Sequence, residues 1–144
     1  VIVASLIEKE SAAPSESPKV AGVIYNRLFR WGNNPPYLNI DASIQYALQE
    51  RKEQLSDADK LIDSPYNTYK YAGLPPAPIN VPPKACLDAV LNPDKHGYIY
   101  FCASPAFDGT HRFAVTYKEH LKNAKAFQRE LTARRKAKAS ASSR

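Results

Sequence analysis

Apolar residues recur through the first ten positions with a helical rhythm. At about 100° per residue, Ile2, Val3, Leu6 and Ile7 fall between about 200° and 340°, a single face, and predict a helix that runs to about Ser11 and stops before Pro14. Ser17 followed by Pro18 offers a capping hydroxyl and a first-turn residue whose missing N–H is not needed there. Val20, Val23, Ile24 and Leu28 then carry a second helical stripe to about Trp31, where Asn33-Asn34-Pro35-Pro36 breaks it. An extended piece at Leu38-Asn39-Ile40 leads to Asp41, a candidate cap for a third helix through Leu48, and a fourth helix is expected from about Pro83 to Leu91. Tyr98-Ile99-Tyr100-Phe101 and Arg112-Phe113-Ala114-Val115 read as two strands joined through Asp108-Gly109, and a last helix starts at Tyr117 and fades near Ala133. This order predicts an α+β fold: a helical N-terminal part, a long Pro-rich loop, a small antiparallel β element and a C-terminal helix.

The loop lies between Ser64 and Pro83, a stretch that holds six of the twelve prolines together with Gly73 and is therefore neither helix nor sheet. Its tyrosines and leucine mark it as packed, because disordered segments are poor in such residues. Tyr66 and Tyr69 carry faces that stack on sugar rings, and Asn67 and Thr68 offer donors and acceptors for hydroxyl and acetamido groups. The same residues equally suit a loop packed on its own side chains.

A chain of 144 residues with 44% hydrophobic content can bury one core, so residues 1–134 are expected to form one domain. The formal charge of +6 invites a nucleic-acid partner until its position is considered. Residues 125–144 carry seven basic side chains against Glu130, whereas residues 1–124 carry thirteen of each sign. The basic excess belongs to the C-terminal end, where residues 135–144 read as a disordered tail, and no nucleic-acid surface is expected. No apolar run reaches the roughly 18 residues that span a bilayer, and no signal-peptide pattern is present. The chain opens on helix interior at Val1 without a capping residue, so an N-terminal part is expected to precede it. Cys86 and Cys102 match no metal spacing and read as free thiols, with a disulfide open to them in an oxidising compartment.

One titratable residue is out of keeping with its surroundings. Glu10 falls at about 280°, in the middle of the first helix's apolar face, whereas Glu8 falls at about 80°, on the opposite side. Desolvation disfavours an ionised carboxylate, raises its pKa and suits it to act as a general acid. Pairing with a buried arginine is the other role open to it. Arg27, at about 180° on the second helix beside Val20 at about 200°, points toward the same core, where a long side chain also serves to cover apolar surface.

Several runs of the sequence occur together in a known order: Ala4-Ser5-Leu6-Ile7-Glu8-Lys9-Glu10-Ser11, Lys19-Val20-Ala21-Gly22-Val23, Asn26-Arg27-Leu28, Pro65-Tyr66-Asn67-Thr68-Tyr69, Gly73-Leu74-Pro75-Pro76, and Tyr100-Phe101 with His111 and Phe113. Over residues 4 to about 124 they closely resemble the endolytic murein transglycosylases, the YceG-like family. The resemblance implies that Glu10, the second glutamate of Glu-Lys-Glu, is the catalytic residue, acting first as acid and then as base in a cleavage that leaves a 1,6-anhydro end. It implies substrate-binding roles for Asn26, Arg27, Asn39, Asp41, Tyr66, Asn67, Thr68, Tyr69 and His111, and it calls for no metal or cofactor. It further implies peptidoglycan strands as substrate, cell-wall synthases as partners, a membrane anchor in the preceding segment, and a location on the extracytoplasmic face of the cytoplasmic membrane. The family's Leu-Gln-Thr/Ser-Asp-Pro-Thr is here Leu38-Asn39-Ile40-Asp41-Ala42-Ser43, so Asn39 stands for a longer amide. The family's Gly-Pro-Ile-x-Asn-Pro-Gly is Ala77-Pro78-Ile79-Asn80-Val81-Pro82-Pro83, and its Gly-Gly-His-x-Phe is Gly109-Thr110-His111-Arg112-Phe113. A peptidoglycan-binding module without catalysis is the alternative that keeps the same substrate.

Overall fold

The computed structural model describes residues 1–10, 13–29, 37–49 and 55–142. The chain divides into two compact units, Val1–Gly97 and Tyr98–Arg144.

The first unit is built on α1 (Ile2–Glu10), α2 (Ser17–Phe29), α3 (Asp41–Leu48) and α4 (Lys84–Leu91). The apolar face of α1 is buried through Val3, Ala4, Leu6 and Ile7 and packs against α2, α3 and α4. Val20, Ala21, Val23 and Ile24 of α2 complete the core with Leu38, Ile40 and Ile44. Pro14–Glu16 forms a short 3-10 turn, so Ser17 is the first residue of α2 rather than its cap. Asp41 likewise opens α3 instead of capping it; Ile40 holds the cap position in extended conformation, which leaves the aspartate side chain for other partners. The predicted breaker Asn33-Asn34-Pro35-Pro36 and the helix-end residues Ser11 and Trp31 lie outside the described residues.

One close approach fixes the end of this unit. The segment after α4 lies directly on α2: the Asp94 N–H donates to the Pro18 carbonyl at 3.0 Å, His96 Nε2 meets the Lys19 carbonyl at 2.9 Å, and Asn26 Nδ2 donates to the His96 carbonyl at 2.8 Å. Gly22 makes this approach feasible, because a Cβ there would fall on the Asp94 carbonyl oxygen and the His96 imidazole. Gly22→Ala is accordingly expected to destabilise the fold by about 1–3 kcal/mol despite its gain in helix propensity, lowering the thermal midpoint by several degrees. An unchanged midpoint would show that the segment does not rest on α2 in this way.

The second unit pairs β1 (Tyr100–Ala103) with β2 (His111–Ala114) in antiparallel register, Phe101 opposite Phe113 and Ala103 opposite His111. Gly109, at φ 83°, turns the connection with a backbone conformation that suits glycine. Both strands pack on α5 (Tyr117–Ser142), with Tyr100 stacked on His120 at 5.1 Å and Phe107 on Phe127 at 5.2 Å. Residues 135–142, expected as part of a disordered tail, continue α5 to Ser142. Alanine, lysine and arginine are strong helix formers that need no burial, Arg134 pairs with Glu130 one turn back at 2.8 Å, and its guanidinium lies 4.4 Å from the Phe107 ring. Cys86 of the first unit and Cys102 of the second are both free. Among the described residues no helix is long and apolar enough to cross a membrane.

Candidate active site

The core-facing stripe of α1 ends on Glu10, and α1's contact with α3 brings that residue to the start of α3. The Ala42 N–H donates to Glu10 Oε1 at 3.4 Å. Glu10 is half-buried, and it lines a cavity of about 490 Å³ together with Lys9, Asp41, Ala42, Gln45, Tyr46, Gln49 and Ile79. Burial pushes its carboxyl up, and the negative charge of Asp41 pushes it further. The Ala42 N–H and the positive charge of Arg27 pull the other way, and the balance settles at about 7. Near neutrality this one group therefore populates both its proton-donating and its proton-accepting form. Glu8 points away, as its helical position requires, and accepts a bond from the Cys86 thiol at 3.6 Å.

The loop supplies the opposite support. Asp41, itself exposed, accepts a hydrogen bond from the Tyr69 hydroxyl. Burial, that bond and the charges of Asp41 and Glu10 all raise the Tyr69 phenol above its ordinary value, so it remains a protonated donor. Lys60 Nζ sits 5.2 Å from the centre of the Tyr69 ring. Further along, the Ile79 N–H donates to Ser5 Oγ at 3.1 Å and Asn80 Nδ2 to the Ser5 carbonyl at 2.8 Å, which ties the second half of the loop to α1 and sets Ile79 in the cavity wall.

Asn67 and Thr68 are buried, and their polar atoms are used within the chain. Asn67 Nδ2 donates to the Lys60 and Ile62 carbonyls at 2.9 and 2.8 Å, while its Oδ1 accepts from the Tyr69 and Lys70 N–H groups at 2.9 and 3.2 Å. Thr68 Oγ1 accepts from the Ile40 N–H at 2.8 Å and shares a hydrogen bond with Ser43 Oγ at 2.9 Å. Asn26 and Arg27 are also buried: Asn26 holds the His96 segment, and Arg27 Nη1 donates to the Leu38 carbonyl at 2.7 Å, fixing the approach to α3. Asn39 is exposed in the left-handed region at φ 52°, a conformation that asparagine tolerates better than most residues. Tyr66 leans on Tyr46, a cavity residue, with ring centres 4.8 Å apart. His111 belongs to the second unit, on β2 against Phe101 and Phe113.

The structure thus brings Glu10, Arg27, Asp41 and Tyr69 into one electrostatic cluster. Sequence reading did not single out Lys9, Ala42, Gln45, Tyr46, Gln49 or Ile79. The spacing Asp41, Gln45, Gln49 was the available signal, a polar stripe of period four that an apolar search passes over.

The sequence pattern of the YceG-like family matches residues 1–126. An endolytic murein transglycosylase of Bacillus subtilis (strain 168) is 41% identical over 120 residues, which covers 83% of this chain and 32% of that protein. Another, from Streptococcus pneumoniae serotype 2 (strain D39), is 34% identical over 126 residues, 84% of this chain and 22% of its own length. The crystal structure of a YceG-like protein from Listeria monocytogenes superposes with a TM-score of 0.75 at 39% identity, over 83% of this chain and 38% of that one. The chain therefore spans well under half the length of each of these proteins.

Proposed function

The chain belongs to the YceG-like family, and on that premise we propose that it carries the catalytic site of a lytic transglycosylase that cuts peptidoglycan glycan strands, with Glu10 as the acid and then the base. The observation that carries this reading is the half-buried Glu10 carboxyl, poised at about 7 and facing a cavity large enough for a sugar. Endolytic murein transglycosylases from two bacteria, similar to this chain over most of its length, support the substrate class.

The proposed step is balanced by one group. Protonated Glu10 gives its proton to the oxygen linking C1 of N-acetylmuramic acid to the next sugar, and the C1–O bond breaks. The 6-hydroxyl of the same muramic acid then attacks C1, and its proton returns to the Glu10 carboxylate. The products are a 1,6-anhydro end and a free hydroxyl on the departing strand; no water is consumed, and Glu10 is regenerated. A glycosidase with two working carboxylates instead assigns acid and nucleophile or base to separate groups. Asp41, held by Tyr69, is proposed to raise the proton affinity of Glu10 and to orient substrate. Asn67 and Thr68, which are buried, act by shaping the loop that carries Tyr69. Because the substrate lies outside the cytoplasmic membrane, the site is proposed to work there, next to the synthases that make the strands and on a membrane anchor carried elsewhere in the full-length protein.

Mass spectrometry of the glycan released from purified sacculi tests the reaction class. The proposal expects ends lighter by one water than hydrolysis would leave; reducing ends would refute it, and binding without release would identify a peptidoglycan-binding module. The pH profile supplies a second check. Asp41→Asn removes the negative charge that helps to hold Glu10 protonated, so the fall of kcat on the alkaline side is expected to begin at lower pH than in the parent. An unmoved or upward-shifted limb would mean that Asp41 does not set the proton affinity of the acid.

A further inference from the structure

α3 is unusual for a helix with a solvent-facing side. Of its eight residues, Asp41–Leu48, only Asp41 is charged, although 24% of the whole chain is charged. Its inner face is buried through Ser43 and Ile44. Its outer side carries Gln45 and Tyr46 and is continued by Gln49 immediately after the helix, all three in the cavity wall with Asp41 and Ala42. Residues four apart stack along one side of a helix, and at about 1.5 Å per residue the row from Asp41 to Gln49 extends about 12 Å away from the Glu10 contact. That reach exceeds one pyranose ring. Tyr46 is 43% exposed, and Tyr66 from the loop braces its ring at 4.8 Å and 53°, which gives the row a fixed aromatic corner.

This combination selects a hydroxyl-rich and amide-bearing ligand. A glutamine amide both donates and accepts, and so matches the C=O and N–H of an acetamido group, whereas a solvated helix face would ordinarily carry lysine or glutamate. An aromatic ring covers the C–H face of a pyranose. We propose that Gln45, Tyr46 and Gln49, with Tyr66 bracing Tyr46, form a saccharide subsite that holds an N-acetylated sugar ring adjacent to the bond at Glu10. The assignment rests on the glycan-cleaving reading of Glu10 and adds to it the surface that recognises the strand.

Binding and cleavage are read separately to test it. The probe is a peptide-free tetrasaccharide of alternating N-acetylglucosamine and N-acetylmuramic acid, titrated calorimetrically into Glu10→Gln protein so that it stays intact. Adding Gln45→Ala or Tyr46→Ala is expected to weaken binding by roughly 3- to 10-fold each, the worth of one hydrogen bond or one aromatic contact. The Gln45→Ala loss should shrink when the probe is de-N-acetylated, a dependence that a merely structural role would not produce. Both side chains face the cavity rather than the core, and circular dichroism with a thermal scan verifies folding; Gln45→Glu, which keeps the length and loses the amide donor, serves as the second variant. Unchanged affinity in folded variants, equal losses for both probes, or no binding at all overturns the subsite. Cleavage by Glu10→Gln protein would instead overturn the role of Glu10, while the binding measurements would still decide the subsite.

Discussion

Glu10→Gln is expected to reduce glycan cleavage by about 100- to 10,000-fold, the usual contribution of a general acid or base, and toward the upper end because one group serves both proton transfers. Glutamine keeps the size of the side chain and can still accept from the Ala42 N–H, but it can neither give nor take the proton. Glu8→Gln should retain most of the activity, since Glu8 is exposed and turned toward Cys86. Stability should move in the opposite direction to activity. The folded-state pKa of Glu10 is raised from 4.5 to about 7, so its favourable contribution is complete below about pH 4.5 and is lost as pH rises through about 7. The glutamine variant lacks that loss. Relative to the parent it should gain stability between these pH values, by up to about 3 kcal/mol, because each pKa unit is worth about 1.4 kcal/mol. Arg27 does not reverse the sign, because burial and Asp41 outweigh it. Denaturant titrations of both proteins at pH 4.5 and pH 8 measure this directly. An active Glu10→Gln enzyme that still makes anhydro ends would remove Glu10 from the mechanism, and a variant less stable at pH 8 would show that a cation compensates the carboxylate.

The second large effect is expected in the loop. Asn67→Ala deletes four hydrogen bonds at once and leaves the Lys60 and Ile62 carbonyls and the Tyr69 and Lys70 N–H groups to find new partners. With about 1–3 kcal/mol for each buried group left unsatisfied and partial rescue by water, a loss of about 3–5 kcal/mol follows. That is a large part of the stability of an ordinary domain. Tyr69→Phe removes only the hydroxyl bond to Asp41 and should cost far less. Thermal unfolding of the two variants checks the contrast: equal midpoints would mean that the asparagine amide does not organise the loop.

Helical periodicity put Glu10 on the buried side of α1 because that helix is short and amphipathic and packs on the predicted face; a carboxylate in an apolar stripe is visible without any structure. The end of α3 at Leu48 and the last helix's start at Tyr117 were equally legible. The hairpin was found with its strands displaced, at Tyr100–Ala103 and His111–Ala114, because alternation over four residues does not fix the register. The direction of Asn67 was beyond reach of the sequence. A loop has no period, so an amide suited to a sugar hydroxyl cannot be told from one suited to the backbone, and the structure turns this one inward. Asp41 was read as a cap from its residue type, yet the carboxylate serves Tyr69 and Glu10, partners 28 and 31 positions away. The full length of α5 was missed for another reason: lack of apolar residues was read as disorder, whereas helix propensity alone favours that segment.

The hydrogen bond that meets the Glu10 carboxylate comes from the main chain of Ala42. A donor of that kind survives every single-residue change at its own position except proline, and proline itself fits the first turn of a helix. A change at position 42 to any residue but proline can therefore alter the cavity's contour and keep this donor, whereas proline, which the family pattern has at this place, fits the helix and removes it.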